Sequence, residues 1–389
     1  MVGNPPTAVI TPELRLLPAA PTPYDCRMLR SIDYSGLIYP VNPHDVAAFK
    51  SSRRDHFGYS TLRLMGTTVL VASGIAFLIL VVSGPILSAL GSSFLAAFVN
   101  GEGAAALPSL FITLAVAFAF LAVIGGSIYV AIRSWRRSGG PWQRFYRMNK
   151  FAEDNELSFT PLDYDSPYPG LIFSQGDSRT IRHRFTSAAG RTLDYGNYEY
   201  STGSGKSKTT QKWGFLALEL DRALPHMVLD AAANNQLFGV SNLPQAFAKN
   251  QVLKLEGDFN SHFTLYCPTA YERDALYVFT PDLMALLIDK AAPFDVEVVD
   301  KWLLVYSPKP FDLIDPAVHR RLLGIADTVG TKALRQSRNY ADDTIGDRSV
   351  NLVAPRGQRL RSGIPQATLI TAAVFALIFG GQLLLRMTG

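Results

Sequence analysis

Three long apolar blocks constrain this chain more than any other feature of its sequence. Leu64–Leu90, Leu107–Ile132 and Ile364–Leu385 contain no Asp, Glu, Lys, Arg or His. Crossing ~30 Å of hydrocarbon takes about 20 apolar residues in a helix, and each block reaches that length. The first block begins too far from the start of the chain to be a cleaved secretion signal. The sequence therefore predicts three transmembrane α-helices, over 64–90, 107–132 and 364–386.

The basic residues beside these blocks predict how the chain is threaded. Positive residues stay on the cytoplasmic side. Arg53, Arg54 and Arg63 precede the first block, whereas the connector 91–106 has no Lys or Arg. We therefore expect a multi-pass cell-membrane protein with the N-terminus and the main domain in the cytoplasm and the C-terminus outside.

A run of basic residues follows the second block with no acid among them. A basic residue near an anionic membrane surface contributes about 1 kcal/mol to binding, so this run predicts a lipid contact. The alternative is that the run acts only as a topology signal during insertion. Such a run also accounts for much of the net charge of +5 without a nucleic-acid partner. Its members are Arg133, Arg136, Arg137, Arg144, Arg147 and Lys150.

The remaining sequence divides into a leader and one large domain. Residues 1–62 begin with a proline-bearing stretch without apolar periodicity, which predicts a disordered cytoplasmic leader. Residues 133–363 open with an amphipathic helix, Trp142–Met148, that either lies on lipid or docks on the domain. Short alternating runs follow, with helix starts at Thr280-Pro281 and Asp315-Pro316. This pattern predicts a cytoplasmic α+β domain with a mostly antiparallel sheet.

The stretch Ser201–Trp213 resembles a phosphate-binding loop because it contains Gly205-Lys206-Ser207. Such a loop needs another glycine five positions earlier and a helix immediately afterwards. Five positions before Gly205 the chain has Tyr200 instead of glycine. The residues after Ser207 form a run that is typical of a strand. We therefore predict a hairpin turn and no nucleotide cofactor.

No catalytic or metal-binding constellation is visible in the sequence. The histidines are scattered, and there is no His-Glu-x-x-His, paired Cys-x-x-Cys or Gly-x-Ser-x-Gly motif. Helical periodicity predicts that His319 lies on the exposed side of its helix. A hard cation could in principle bind at Asp163 and Asp165 or at Asp342 and Asp343, although solvation of these loops is the simpler interpretation. We predict no catalytic residue, cofactor or metal.

One segment is similar to a known family. Val252–Asp289 has an acid before Phe259, a strand containing Phe263, the turn Glu272-Arg273-Asp274-Ala275, and Thr280-Pro281-Asp282-Leu283-Met284. In these features it resembles bacterial membrane proteins grouped only as a domain of unknown function. The resemblance implies two N-terminal transmembrane helices before an α+β domain and supplies no activity.

Two functional hypotheses follow. The first is a non-enzymatic binding or scaffolding protein whose domain recognises an unknown protein partner or a lipid surface. The alternative is a membrane-tethered hydrolase that brings together residues such as Asp221, His226 and Asp258. Small residues spaced by four, Ala372, Ala376 and Gly380, allow close helix packing and could also support a homo-oligomer.

Overall fold

The computed structural model describes residues 32–53, scattered positions between 74 and 100, residues 103–137, and residues 140–363 apart from 165, 189 and 236–239. The chain divides into two compact units. One comprises Tyr34–Ala152, and the other comprises Met1–Asp33 with Glu153–Gly389.

The first unit is helical where it is described. Its helices include Ser35–Ile38, Pro43–Arg53, Gly103–Arg137 and the one that begins at Gly140 and ends at Asp154. The ring of Phe49 packs edge-on against Trp142 and Tyr146, with centroids 6.4 and 5.6 Å apart. The leader was expected to be disordered, yet two of these helices fall within residues 32–53. Aromatic packing buries the Phe49 side chain in this part of the leader. The lack of apolar periodicity in the leader sequence did not predict that burial.

The prediction of three transmembrane helices is corrected by the structure. Within the described part of the chain, no helix has both the length and the apolar character needed to cross a bilayer. The block 107–132 falls in the helix Gly103–Arg137, whereas most of 64–90 and all of 364–386 lie outside the described residues. The prediction depended on the length of each block and its freedom from charge, and these two properties of a sequence do not by themselves establish a membrane span.

The second unit is built on an antiparallel sheet, so the α+β part of the fold prediction agrees with the structure. The sheet runs in the order β1-β2-β3-β4-β6-β5, and β7 pairs with β4. Every pairing is antiparallel. The strands are β1 (Leu157–Asp163), β2 (Asp177–Ser187), β3 (Leu193–Thr202), β4 (Thr209–Ala231), β5 (Val252–Leu253), β6 (Phe263–Tyr266) and β7 (Asp295–Ser307).

The long strand β4 organises the sheet. Its first half pairs with β3, its second half pairs with β6, and β7 runs along it from Gly214 to Leu229. The alternating runs of the sequence predict two separate strands here, Trp213–Leu220 and His226–Asp230, whereas the structure has one strand with register shifts between Glu219 and Met227. Proline cannot donate to a ladder, and a bulge lets the strand continue past it.

Short helices and turns complete this unit. The alternation of side chains along β3 and β4 places Tyr198 and Phe215 on one face and Tyr195 and Leu218 on the other. The helical segment after β7 packs on the second of these faces, where Gly330 lies against the Leu218 side chain. The helices are Phe259–His262, Glu272–Val278, Pro281–Leu286, Pro316–Ile325, Thr331–Arg338 and Pro355–Gln358, with π-helical turns at Leu287–Ala291 and Ala326–Gly330.

The turn between β3 and β4 confirms the predicted hairpin. Thr202 pairs with Thr209, and Gly203 and Gly205 have φ values of +80° and +56°. These values lie in the left-handed region that glycine adopts without a steric cost. Gly205–Ser207 form a single 3-10 turn followed by β4, so no helix N-terminus is available to hold a phosphate.

Candidate functional site

A polar cleft opens beside the helix Glu272–Val278 and has a volume of about 230 Å³. The coil that follows the helix Thr331–Arg338 forms its other wall. The cleft is lined by Arg273, Asp274, Tyr277, Asn339, Tyr340, Ala341, Asp342, Asp343, Thr344 and Arg348. It therefore combines both signs of charge with two aromatic rings.

The coil wall is fixed by Asp342. Its Oδ1 accepts hydrogen bonds from the N–H and Oγ1 of Thr344, at 2.8 and 2.6 Å, and its Oδ2 accepts from Tyr271 and from the N–H of Ala354, both at 2.8 Å. Burial acts to raise the pKa of Asp342, but these bonds outweigh it and hold the pKa below its ordinary value. Asp342 is therefore an organiser of this coil. Of the two carboxylates suggested as a cation site, that of Asp342 already accepts two hydrogen bonds at each oxygen.

The lining of the cleft contains three carboxylates, Asp274, Asp342 and Asp343, and two guanidinium groups, Arg273 and Arg348. Burial raises the pKa of Asp274, and the neighbouring Asp342 and Asp343 add to the rise, whereas a 2.8 Å bond from Tyr340 opposes it. Burial also raises the pKa of Tyr340, with Asp274 and Asp342 contributing. Burial is the larger cause of both shifts, and nearby negative charge, which disfavours the charged form of an acid, adds to them. The side chain of Asp343 is 73% exposed, and Arg348 approaches it only to 3.9 Å.

Apolar surface borders the cleft on its helical side. Tyr277 and its neighbour Leu276 are 43% and 55% exposed. The ring of Tyr277 lies 6.2 Å from that of the buried Tyr340. An exposed aromatic ring beside carboxylates is a combination that suits a cationic side chain, which aromatic faces also attract.

A second group of ionisable side chains is buried within the sheet around Glu297. Its Oε1 lies 2.8 Å from Nε2 of His226, and its Oε2 accepts from the N–H of Leu171 at 2.8 Å and the hydroxyl of Tyr306 at 2.6 Å. Burial, and then the Glu297 carboxylate, raise the pKa of Tyr306 well above its ordinary value. Because Glu297 is only 1% exposed, no substrate reaches this carboxylate in the folded state.

The register of β4 and β7 places Asp230 opposite Asp295 at one end of the same face. Burial raises the pKa of Asp230 to about 6. Burial likewise raises the pKa of Asp295 to about 7, although the N–H of Ala231 donates to its Oδ1 at 2.8 Å, and the nearby Asp230 adds to the rise. Each residue has one buried carboxylate oxygen without a hydrogen-bond partner, Oδ1 of Asp230 and Oδ2 of Asp295. Like charges directly opposite each other destabilise a sheet, so we expect this pair to hold a proton at neutral pH.

The structure does not bring the suggested hydrolase residues into one site. Asp221 binds Arg191 and also Arg338, the latter at 3.1 Å. His226 contacts Glu297 as described above, and Asp258 is 81% exposed and lies 3.9 Å from His262. Each candidate thus has a different charged neighbour. No observation in the described part of the chain favours hydrolysis.

Other ionisable side chains singled out from the sequence have structural partners. Asp163 binds Arg184 at 2.5 Å, and Asp165 lies outside the described residues. Across the described ranges, no group of three or more His, Cys, Asp and Glu side chains could hold a metal ion.

The prediction that His319 is exposed is wrong, because this residue is 0% exposed. Its Nε2 donates to the carbonyl of Leu313 at 3.0 Å, so Nδ1 accepts from the hydroxyl of Tyr195 at 2.9 Å. Burial lowers the pKa of His319 to about 4, and the ring is therefore neutral near pH 7. The error arose because helical periodicity identifies one buried stripe but does not show that strand β3 also covers the flank of the helix.

The structure describes the side chains of three of the six basic residues that follow the second apolar block. Arg133, Arg136 and Arg137 end the helix Gly103–Arg137. Arg144 and Lys150 are exposed, whereas Arg147 donates to the carbonyl of Leu37. The lipid contact of these six residues stays a prediction.

The amphipathic helix next to this run buries its apolar face in protein. Trp142, Phe145 and Met148 are 6%, 3% and 1% exposed. This face therefore does not lie on lipid, and Trp142 packs against Phe49 of the same unit. Docking of the helix on the α+β domain stays a prediction.

Sequence reasoning missed Glu297, Asp295 and the cleft. A signal for the first two was present, since acids alternate with valine in Asp295-Val296-Glu297-Val298. Alternate positions of a strand share a face, so the valines and the acids had to point to opposite sides. No such signal exists for the cleft, because its two walls are more than sixty residues apart in sequence and only the fold joins them.

Comparison with known proteins adds little to this geometry. No protein-family description and no curated protein matches the sequence. The crystal structure of the mycobacterial trehalose monomycolate transport factor A is similar over 49% of this chain and 90% of its own, with 11% identity and a TM-score of 0.31. A similarity this low carries no argument about fold or function.

Proposed function

We propose that this protein is a non-enzymatic binding protein that holds a protein partner through the polar cleft, where a basic side chain of the partner is bound. The observation that carries the proposal is the lining of the cleft, in which the carboxylates of Asp274, Asp342 and Asp343 outnumber the two guanidinium groups. The raised pKa values of Asp274 and Tyr340 reflect burial together with neighbouring negative charge. A cationic group entering the cleft would neutralise that charge.

The size and lining of the cleft also support a side chain rather than a metabolite. Pockets for drug-sized ligands have volumes of about 300–1,000 Å³ and are mostly apolar. A volume of about 230 Å³ suits one long side chain. The exposed Leu276 and Tyr277 would then contact apolar parts of the same partner, as an interface requires.

The ionisable groups whose chemistry would suit catalysis lie outside the cleft and already bind other groups of the protein. Glu297 and His226 are 1% and 4% exposed and bind each other. A general base must reach the proton that it abstracts, and these groups do not meet a substrate. Their contacts favour a role in stabilising the sheet.

The proposal predicts that the full chain binds N-acetyl-arginine amide more tightly than N-acetyl-citrulline amide, which has nearly the same shape without the charge. We expect Asp343→Asn to weaken binding of the arginine amide by about 1.4- to fivefold, because an exposed ion pair contributes about 0.2–1 kcal/mol. Isothermal titration calorimetry at low salt would measure both affinities.

Asp289→Asn is the matched control, since Asp289 is exposed and does not line the cleft. It should bind the arginine amide as the unmodified chain does. Raising the salt concentration should weaken the binding through screening. Equal binding of the two amides, or equal losses in both variants, would refute the proposal.

A further inference from the structure

The last described residues form a strap, Arg359–Gly363, that is tied to the sheet unit along its length. The N–H of Arg361 donates to Gln251 at 2.8 Å, and the N–H of Gly363 donates to the carbonyl of Ala246 at 2.8 Å. A side chain at Gly363 would meet the Phe247 carbonyl at 2.2 Å, so the strap lies directly on the backbone beneath it.

One of these ties depends on a titratable group. The N–H of Leu360 donates to Nδ1 of His226 at 3.0 Å, and His226 is 4% exposed. A ring nitrogen that accepts a hydrogen bond carries no proton, so the proton of the neutral ring is on Nε2. Nε2 then donates to Glu297 at 2.8 Å. The two contacts together fix both the tautomer and the neutral state of this ring.

We propose that His226 is a proton-operated latch for the strap. A proton taken from solvent would occupy the Nδ1 lone pair that Leu360 now uses. Two N–H donors would then face each other across a distance that now accommodates a hydrogen bond, and the amide of Leu360 would lose its partner. The Leu360 end of the strap is therefore held in the neutral state and released as the pH falls, while the bonds at Arg361 and Gly363 do not depend on the ring.

Charged groups on β7 and on the strap lie around the ring. On β7, Glu297 faces Nε2 and would form an ion pair with the protonated ring, while the Tyr306 hydroxyl occupies the other oxygen of that carboxylate. On the strap itself, Arg359 binds Asp300 of β7 through two bonds of 2.9 and 3.0 Å.

The remaining elements around the ring add one aromatic and two titratable side chains. The ring of Phe247 lies edge-on at 6.5 Å, and it packs on Tyr266 of β6. Asp230 lies four residues further along β4. None of these groups replaces the acceptor that Leu360 would lose.

Hydrogen exchange of the strap amides in the full chain tests the latch. Rates would be measured at about pH 8 and about pH 5 and corrected for intrinsic exchange. We expect the protection of Leu360 to fall about tenfold at the lower pH, as expected when one hydrogen bond is lost. Protection that is the same at both pH values would overturn the proposal.

Two variants separate the two ring nitrogens. In His226→Asn the amide oxygen can take the place of Nδ1 as acceptor but does not titrate, so protection should be the same at both pH values. In His226→Gln the amide nitrogen can reach Glu297 but nothing accepts from Leu360, so protection should be low at both. A His226→Asn chain that keeps the pH dependence of the unmodified protein would contradict the latch.

A measurement on the unmodified chain covers the case in which a variant fails to fold. Nitrogen-15 chemical shifts distinguish the two neutral tautomers of histidine. We expect His226 to carry its proton on Nε2 at about pH 8 and on both nitrogens when the strap is released. A ring protonated on Nδ1 at the higher pH would exclude the proposed bond to Leu360.

Discussion

Replacing Glu297 with alanine is expected to lower the free energy of unfolding of the sheet unit by about 3–6 kcal/mol. The carboxylate of Glu297 accepts from the ring of His226, the N–H of Leu171 and the hydroxyl of Tyr306, and all of these groups are buried. Each buried donor left without an acceptor costs about 1–3 kcal/mol. The alanine also leaves a cavity beneath Gly170, whose position against Tyr306 allows no side chain.

Urea denaturation followed by tryptophan fluorescence would measure this change, since Trp213 and Trp302 lie in the same sheet. Tyr306→Phe removes one of the three donors together with its hydroxyl and should cost less than Glu297→Ala. Glu256→Ala, at an exposed position, should stay within about 0.5 kcal/mol of the unmodified chain. A Glu297→Ala chain within about 1 kcal/mol of the unmodified protein would show that the buried network does not stabilise the fold.

Replacing Asp295 with asparagine is expected to raise the free energy of unfolding near pH 8 by an amount on the order of 2–4 kcal/mol. In the folded chain the pKa of Asp295 is raised to about 7, whereas that of an unfolded aspartate is about 3.9, and each unit of difference corresponds to about 1.4 kcal/mol. The folded state binds the proton of Asp295 more tightly than the unfolded state does. The stability that this proton contributes to the unmodified chain is therefore fully present below about pH 4 and is lost as the pH rises through about 7. Asparagine stays neutral and keeps an oxygen that can accept from Ala231.

The pH dependence of unfolding tests this effect. The unmodified chain should lose stability between about pH 4 and about pH 7, and Asp230, with its pKa raised to about 6, should contribute in the same direction. Asp295→Asn should flatten that part of the profile, whereas the exposed control Asp289→Asn should leave it unchanged. An Asp295→Asn chain that is less stable near pH 8 would contradict the shifted titration of the pair.

The sheet was predictable from the sequence because alternation along a strand is a local property. The hairpin at Gly205 and the helix start at Asp315 also follow from local chemistry, and Asp315 caps its helix through a 2.8 Å bond to the N–H of Ala317. The continuity of β4 past Pro225 depends on β7, which supplies the ladder on both sides of the bulge. That partner lies more than sixty residues away, so local pattern divided the strand in two.

The chemistry of the site was less predictable because it depends on tertiary contacts. Asp342 appeared as a possible cation ligand, but contacts from Tyr271 and Ala354 make it an organiser of the coil. His226 appeared as one residue of a possible hydrolase site, but Glu297 and Leu360 fix its ring inside the sheet unit. In each case the sequence singled out the residue, but partners that are distant in sequence set its role.

The most direct test of the proposed binding function is to locate where a cationic ligand contacts the full chain. Nuclear magnetic resonance spectra would be recorded during titration with N-acetyl-arginine amide and, separately, with N-acetyl-citrulline amide. We predict that signals of Asp274, Tyr277 and Asp343 shift with the arginine amide and stay in place with the citrulline amide. Shifts that occur outside the cleft, or that are equal for the two ligands, would contradict the assignment of the cleft as the binding site for a basic side chain.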